Sequence, residues 1–154
     1  DTSGFYHVIT DIYDQHDYDQ NPESLRKSYI GYNGKAESVK LFDPNNQIFI
    51  PDLPFFVSEF GGIKWIPENR RKIAAENSWG YGDAPETEEE FFARYEKLVS
   101  ALLEAPNIMG FCYTQLYDIE QEVNGLFTYD REKKFADYSR IIAANTAEAA
   151  IEKM

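Results

Sequence analysis

One cysteine, two histidines and two methionines are all that the 154 residues hold of those types. The lone Cys112 cannot form an internal disulfide, and its setting in Gly110-Phe111-Cys112-Tyr113 reads as a buried, inert thiol. Basic residues are scarce as well: 15 Lys and Arg stand against 27 Asp and Glu, a net charge of -12. Phosphates are repelled by such a chain unless a basic patch exists, so nucleic acid is excluded as a partner. No apolar run approaches the roughly 20 residues of a membrane-spanning helix. No basic-then-apolar leader is visible, and membrane is excluded as a partner. Localisation stays open, with acidity and a single thiol fitting a reducing interior.

What is present is apolar and aromatic. A content of 43% hydrophobic and 16% aromatic residues supports a core in one ordinary domain, taken here as residues 1–154. An acidic chain rich in aromatic rings fits a neutral, stackable ligand such as a sugar, although many stable domains share that composition.

The organising stretch is Pro54-Phe55-Phe56-Val57-Ser58-Glu59-Phe60-Gly61-Gly62. Its apolar run after proline predicts a short strand buried on both faces. The run ends on Ser-Glu and a Gly-Gly turn, which puts the Glu59 carboxylate where a sheet opens to solvent. In parallel α/β folds that exit is where ligands bind. The same pattern also fits a Glu59 that is only the first solvated residue after a strand.

Upstream, Phe5 to Ile12 predicts a strand centred on Val8 and Ile9. A polar, aromatic loop from Tyr13 to Gln20 follows it. Asn21 then caps a helix with Pro22 at its first position and Gly31 beyond its end. The loop gathers Asp11, Asp14, His16, Asp17 and Asp19, yet it lacks the mid-loop glycine and closing glutamate of a calcium loop. No metal site and no cofactor are expected; His16, Asp17 and Tyr18 read as substrate-facing. Asp43-Pro44-Asn45-Asn46 predicts a turn.

The segment from Ile63 to Pro85 is a long loop holding Trp65, Trp79, Tyr81 and the Gly80/Gly82 pair. Its tryptophans either stack on a sugar face or pack the loop down. Thr87-Glu88-Glu89-Glu90 is a capping box opening an amphipathic helix that Pro106 stops. A second buried strand, Asn107 to Tyr113, exits into Thr114-Gln115-Leu116-Tyr117-Asp118. A last helix is predicted from Ala136 to Lys153. Alternating strands and helices imply parallel strands with crossover connections, either a small open sheet or an arc of a barrel.

Two motifs carry a resemblance. Phe56-Val57-Ser58-Glu59-Phe60-Gly61-Gly62 resembles the nucleophile strand of glycoside hydrolase family 2, which includes β-galactosidases, β-glucuronidases and β-mannosidases. Gly110 to Asp118, with Val123-Asn124-Gly125-Leu126-Phe127-Thr128-Tyr129-Asp130-Arg131, resembles that family's final barrel strand and the segment after it. The opening through Asp11-Ile12 and His16-Asp17-Tyr18 looks like the sixth strand and its loop. The resemblance implies an α/β fold that is part of a (β/α)8 TIM barrel, strands six to eight with their helices, as a C-terminal fragment of a glycosidase.

By the same resemblance Glu59 is the nucleophile of a retaining mechanism and Tyr18 supports it by donating a hydrogen bond. His16, Asp17, Trp79, Tyr113, Gln115 and Asp118 are the implied substrate contacts. Tyr113 stands where many relatives carry tryptophan. The family's acid/base glutamate follows an asparagine at a strand end, and no such Asn-Glu pair occurs here; Glu68-Asn69 has the order reversed. The mechanism needs two carboxylates about 5–5.5 Å apart, so the isolated chain is expected to be inactive. Its implied partners are a carbohydrate substrate and either the remaining barrel strands or a second copy meeting its open edges. The alternative reading is a non-catalytic α/β module that binds carbohydrate or protein through its aromatic loop residues.

Overall fold

The structure is a computed structural model that describes residues 6–7, 9–41, 48–72, 74 and 76–153. Val8 and the Asp43–Asn46 turn lie outside the described residues. Three strands form one parallel sheet in the order β1-β2-β3, with β1 at Tyr13–Asp17, β2 at Phe55–Gly61 and β3 at Ile108–Thr114. Between them run α1 (Pro22–Tyr29) and α2 (Glu88–Leu103), and α3 (Ser139–Asn145) follows β3. The strand-helix alternation and the parallel pairing are those expected from the sequence. Among the described residues no helix is long and apolar enough to cross a membrane.

Both helices between the strands begin with the caps that the sequence names. Asn21 accepts from the amides of Glu23 and Ser24, with Pro22 at the first helical position. Thr87 and Glu90 form a reciprocal capping box at the start of α2, satisfying amides that a helix start leaves without partners. One face of α2 buries Phe91, Tyr95, Leu98, Val99 and Leu102, and these belong to the same core as Phe55, Val57 and Phe60 of β2 and Tyr13 of β1. Removing apolar surface of this kind from water supplies most of the driving force for the fold.

Three expectations are corrected. The first strand is not centred on Val8 and Ile9 but lies further on; Ile9 is 83% exposed, while Tyr13 is fully buried and pairs with Phe55. A polar sequence forms this strand because its side chains find partners inside. The Gln15 amide donates to the Tyr29 hydroxyl at 2.9 Å and the Lys40 carbonyl at 3.1 Å. The Asp14 carboxylate accepts from the Ser58 hydroxyl and lies 3.3 Å from His7 Nε2. Cys112 is exposed on β3 rather than buried. The last helix is shorter than expected: it stops at Asn145, and a separate 3-10 turn covers Ala150–Lys153. Of its isoleucines Ile141 is buried and Ile142 is 60% exposed, so little apolar surface holds a longer helix to the body.

One irregularity in β2 matters for the site. Gln15 is opposite Val57, but His16 is opposite Glu59, so the register slips by one residue at Ser58. A bulge of this kind re-aims the side chains that follow it. Here it brings His16 alongside Glu59.

Candidate active site at the exit of the central strand

Glu59 stands near the end of β2, with its side chain 38% exposed. Its Oε2 accepts a hydrogen bond from the Tyr18 hydroxyl. His16 Nδ1 lies 3.1 Å from the same oxygen. Two groups from β1 and the residue after it thus converge on one carboxylate oxygen. The Tyr18 phenol is pushed far above the ordinary tyrosine range, first by burial and then by its hydrogen bond to Glu59. It therefore keeps its proton and remains a donor at neutral pH.

The rest of the exit is built on close backbone approaches. A Cβ on Gly61 would stand 2.4 Å from the Tyr113 ring, so the turn lies directly against that ring. The Tyr113 hydroxyl accepts from the Ile63 amide at 3.2 Å and donates to the Asn124 carbonyl at 3.3 Å. Burial pushes this phenol up as well. The Gln115 side chain donates to Asn124 Oδ1 at 2.9 Å. Tyr113 and Gln115 thus tie β3 to the segment at Asn124. Trp79 is 45% exposed and meets Tyr81 edge-on at 5.7 Å. Its amide donates to the Gln121 carbonyl at 2.8 Å, which fastens the long loop to the segment after β3.

Asp17 and Asp118 each have partners within the chain. Asp17 is 1% exposed and accepts from the Asp19 amide and the Tyr29 hydroxyl, both at 3.0 Å. Burial raises its carboxyl above the ordinary value. Asp118 is buried against Lys134, 2.6 Å away, and also accepts from the Gly125 amide at 2.9 Å. Both carboxylates are thus engaged by other residues of the chain.

The sequence reading missed the ring that stacks on Tyr18. Tyr81 lies parallel to it, 3.5 Å between centroids and 4° between planes. The Gly80 and Gly82 that flank Tyr81 were the available signal, since a Cβ at either would fall within 3 Å of Lys64 or Gln20. A cavity of about 380 Å³ lies elsewhere, walled by Trp65, Arg70, Asp118 and Lys134 and without Glu59 in its lining. Among the described residues no group of three or more His, Cys, Asp or Glu side chains is placed to hold a metal ion.

Fold and site together define a small parallel α/β unit with a carboxylate at a strand exit, bridged by a phenol and an imidazole. No family model and no curated protein matches the chain. Among solved structures it is similar to a β-glucuronidase of Bifidobacterium dentium complexed with coumarin-3-O-glucuronide. That likeness has 17% identity and a TM-score of 0.43, and covers 63% of this chain and 16% of the other. A β-glucuronidase of Faecalibacterium prausnitzii is similar at 19% identity and a TM-score of 0.42, with the same coverage. The chain spans only that 16% of either enzyme. Likenesses this partial carry no argument about its chemistry, which rests on the residues at Glu59.

Proposed function

We propose that this chain is the closing part of the catalytic barrel of a retaining β-glycosidase of glycoside hydrolase family 2, carrying strands six to eight. The observation that supports it is the convergence of Tyr18 and His16 on Glu59 Oε2. A nucleophilic carboxylate has to be ionised, incompletely hydrated and fixed in direction. A neutral phenol donating to one oxygen meets all three needs and leaves Oε1 to react.

In this reading Glu59 Oε1 attacks the anomeric carbon, and an ester bond forms as the glycosidic C–O bond breaks. The leaving oxygen takes its proton from an acid/base carboxyl that this sequence does not supply at a strand end. Water then adds to the anomeric carbon, giving its proton back to the same acid/base carboxyl, as the ester C–O bond breaks and releases Glu59. His16, Trp79, Tyr113 and Gln115 remain the proposed sugar-facing set, with Trp79 at the rim. Asp17 and Asp118 hold the scaffold in this proposal.

Intact mass after incubation with a 2-deoxy-2-fluoro-β-glycoside bearing a dinitrophenolate leaving group tests the reading. That leaving group needs little protonation, so the absent acid matters less. The expected result is an adduct on Glu59 that disappears in Glu59→Gln. Unchanged turnover by a parent barrel carrying Glu59→Gln would end the proposal.

The exposed Trp79 favours a second reading, a non-catalytic module that grips carbohydrate or protein. There Trp79→Ala weakens binding more than Glu59→Gln does, and no covalent adduct forms.

A further inference from the structure

We propose that Tyr81 is the positioning residue of this site: its ring, flat against Tyr18, fixes the direction in which the Tyr18 phenol donates to Glu59. The inference rests on the proposed reading of Glu59, and it goes beyond it by assigning a part to the long loop.

Aromatic pairs ordinarily prefer offset or edge-on contact to a parallel overlap as close as this one. The overlap is held here from several sides. The Tyr81 amide donates to the Gly62 carbonyl at 2.8 Å, which pins the loop to the strand exit. Trp79 abuts the same ring edge-on. Gly62 has φ +62, and a Cβ there would stand 2.4 Å from Tyr81 Cδ2 and 3.1 Å from Tyr18 Cε1. The glycine therefore leaves the space that both rings occupy. On the other side, the Gln20 amide donates to the Tyr18 carbonyl at 3.1 Å and also to the Gly61 carbonyl. Backbone and ring of Tyr18 are thus each referred to the Gly61-Gly62 turn that follows Glu59.

The groups around the phenol are Glu59 on β2, His16 on β1, Thr114 on β3 and Tyr81 from the loop. Glu59 and His16 bear on the carboxylate directly. Tyr81 acts only through Tyr18, because its flat face removes water from one side of that ring and limits its swing. A hydrogen bond to a carboxylate weakens steeply as its angle closes, so a swinging ring would lose the bond.

The test is proton NMR of the 154-residue chain at neutral pH and low temperature, following the downfield Tyr18 hydroxyl proton. Its assignment comes from its loss in Tyr18→Phe. The signal is expected in the wild type and in Tyr81→Phe, which keeps the stack. It is expected to vanish by exchange in Tyr81→Ala. Tyr81→Leu, which keeps bulk without a flat face, is expected to lose the signal too, while wild-type dispersion of the backbone amide spectrum in both variants shows that they are folded. Retention of the signal in either of these two variants would overturn the inference. Its absence from the wild type would remove the Tyr18–Glu59 hydrogen bond, and the proposed function would lose its support along with it. If the signals behave as expected but a parent barrel never labels Glu59, the glycosidase reading fails and the positioning role stands.

Discussion

Tyr18 and Glu59 lie 41 positions apart in the chain, and the hydroxyl of one donates directly to the carboxylate of the other. The contact depends on β1 and β2 being neighbours in a parallel sheet and on the bulge that moves Glu59 opposite His16. Neither strand alone would assemble it. If this pair is the working part of a glycosidase, Tyr18→Phe in the parent barrel removes one hydrogen bond to a charged acceptor. Such bonds are worth about 1.5–3 kcal/mol, so kcat is expected to fall roughly ten- to a hundredfold. KM should move little. Steady-state kinetics on an aryl β-glycoside decides it, and a kcat within twofold of wild type would strip Tyr18 of its supporting role.

Alkaline pH should unfold this chain early. The phenols of Tyr18, Tyr29, Tyr95 and Tyr113 are all held above the ordinary value of 10.0, each mainly by burial. Above about 10 the unfolded chain releases these protons while the folded chain keeps them. The folded state then binds more protons than the unfolded one, so stability is intact below about 10 and is lost as pH rises through the folded-state values. Each such tyrosine contributes a slope of about 1.4 kcal/mol per pH unit. Urea melts followed by circular dichroism from pH 8 to 11 would show it; a flat midpoint across that range contradicts the burial of these phenols.

The buried pair Lys134–Asp118 makes a separate claim about the segment after β3. The Lys134 ammonium donates to Asp118 Oδ1 at 2.6 Å and to the Trp65 and Val123 carbonyls at 2.8 and 3.0 Å. Burial drives the two groups toward their neutral forms, yet the lysine has three acceptors within bonding distance and the carboxylate a second donor in Gly125. Removing one partner of a buried pair strands the other, at about 3–5 kcal/mol. Lys134→Ala is expected to lower the unfolding free energy by about that amount, read from the shift of the urea midpoint. Joint replacement by Lys134→Met and Asp118→Leu should recover most of it. A double variant no better than the single one would show that the backbone contacts of Lys134, not the charge pair, hold the segment.

The elements legible in the sequence were those whose signals are local. Thr87 and Glu90 cap a helix by contacts three residues apart, and Asn21-Pro22 starts another by the same kind of contact. The strand at Phe55 announces itself because its apolar run has no other stable fate. The first strand was misplaced because Asp14, Gln15 and Asp17 look solvated until Ser58, Tyr29 and Lys40 are brought to them. Asp118 looked available because Lys134 lies on a later segment that local patterns do not connect to it. Tyr81 escaped for the same reason: its partner Tyr18 sits before α1, and a stacking contact leaves no periodicity in either stretch. Glu59 could be placed at a strand exit from sequence, while the slip at Ser58 that sets it beside His16 could not.

The sheet itself carries the last prediction. Among the described residues β1 and β3 each pair with β2 alone, so each presents one row of backbone groups to whatever lies beside it. Met109, 60% exposed, and Cys112, also exposed, stand on β3 with little to cover them. Edges of this kind template pairing with another strand. Within a parent barrel those strands would come from the same polypeptide; in the isolated chain a second copy is the available partner. A net charge of -12 opposes that encounter, and salt screens it over about 8–10 Å. The expected outcome is association that strengthens with ionic strength, seen by sedimentation velocity in reducing buffer so that Cys112 disulfides do not contribute. Cys112→Glu, which adds a further negative charge on exposed β3, should weaken it. A chain that sediments as a monomer at every salt concentration would mean that both edges are covered by the protein's own remaining segments, and the proposal of an open arc would fail with that result.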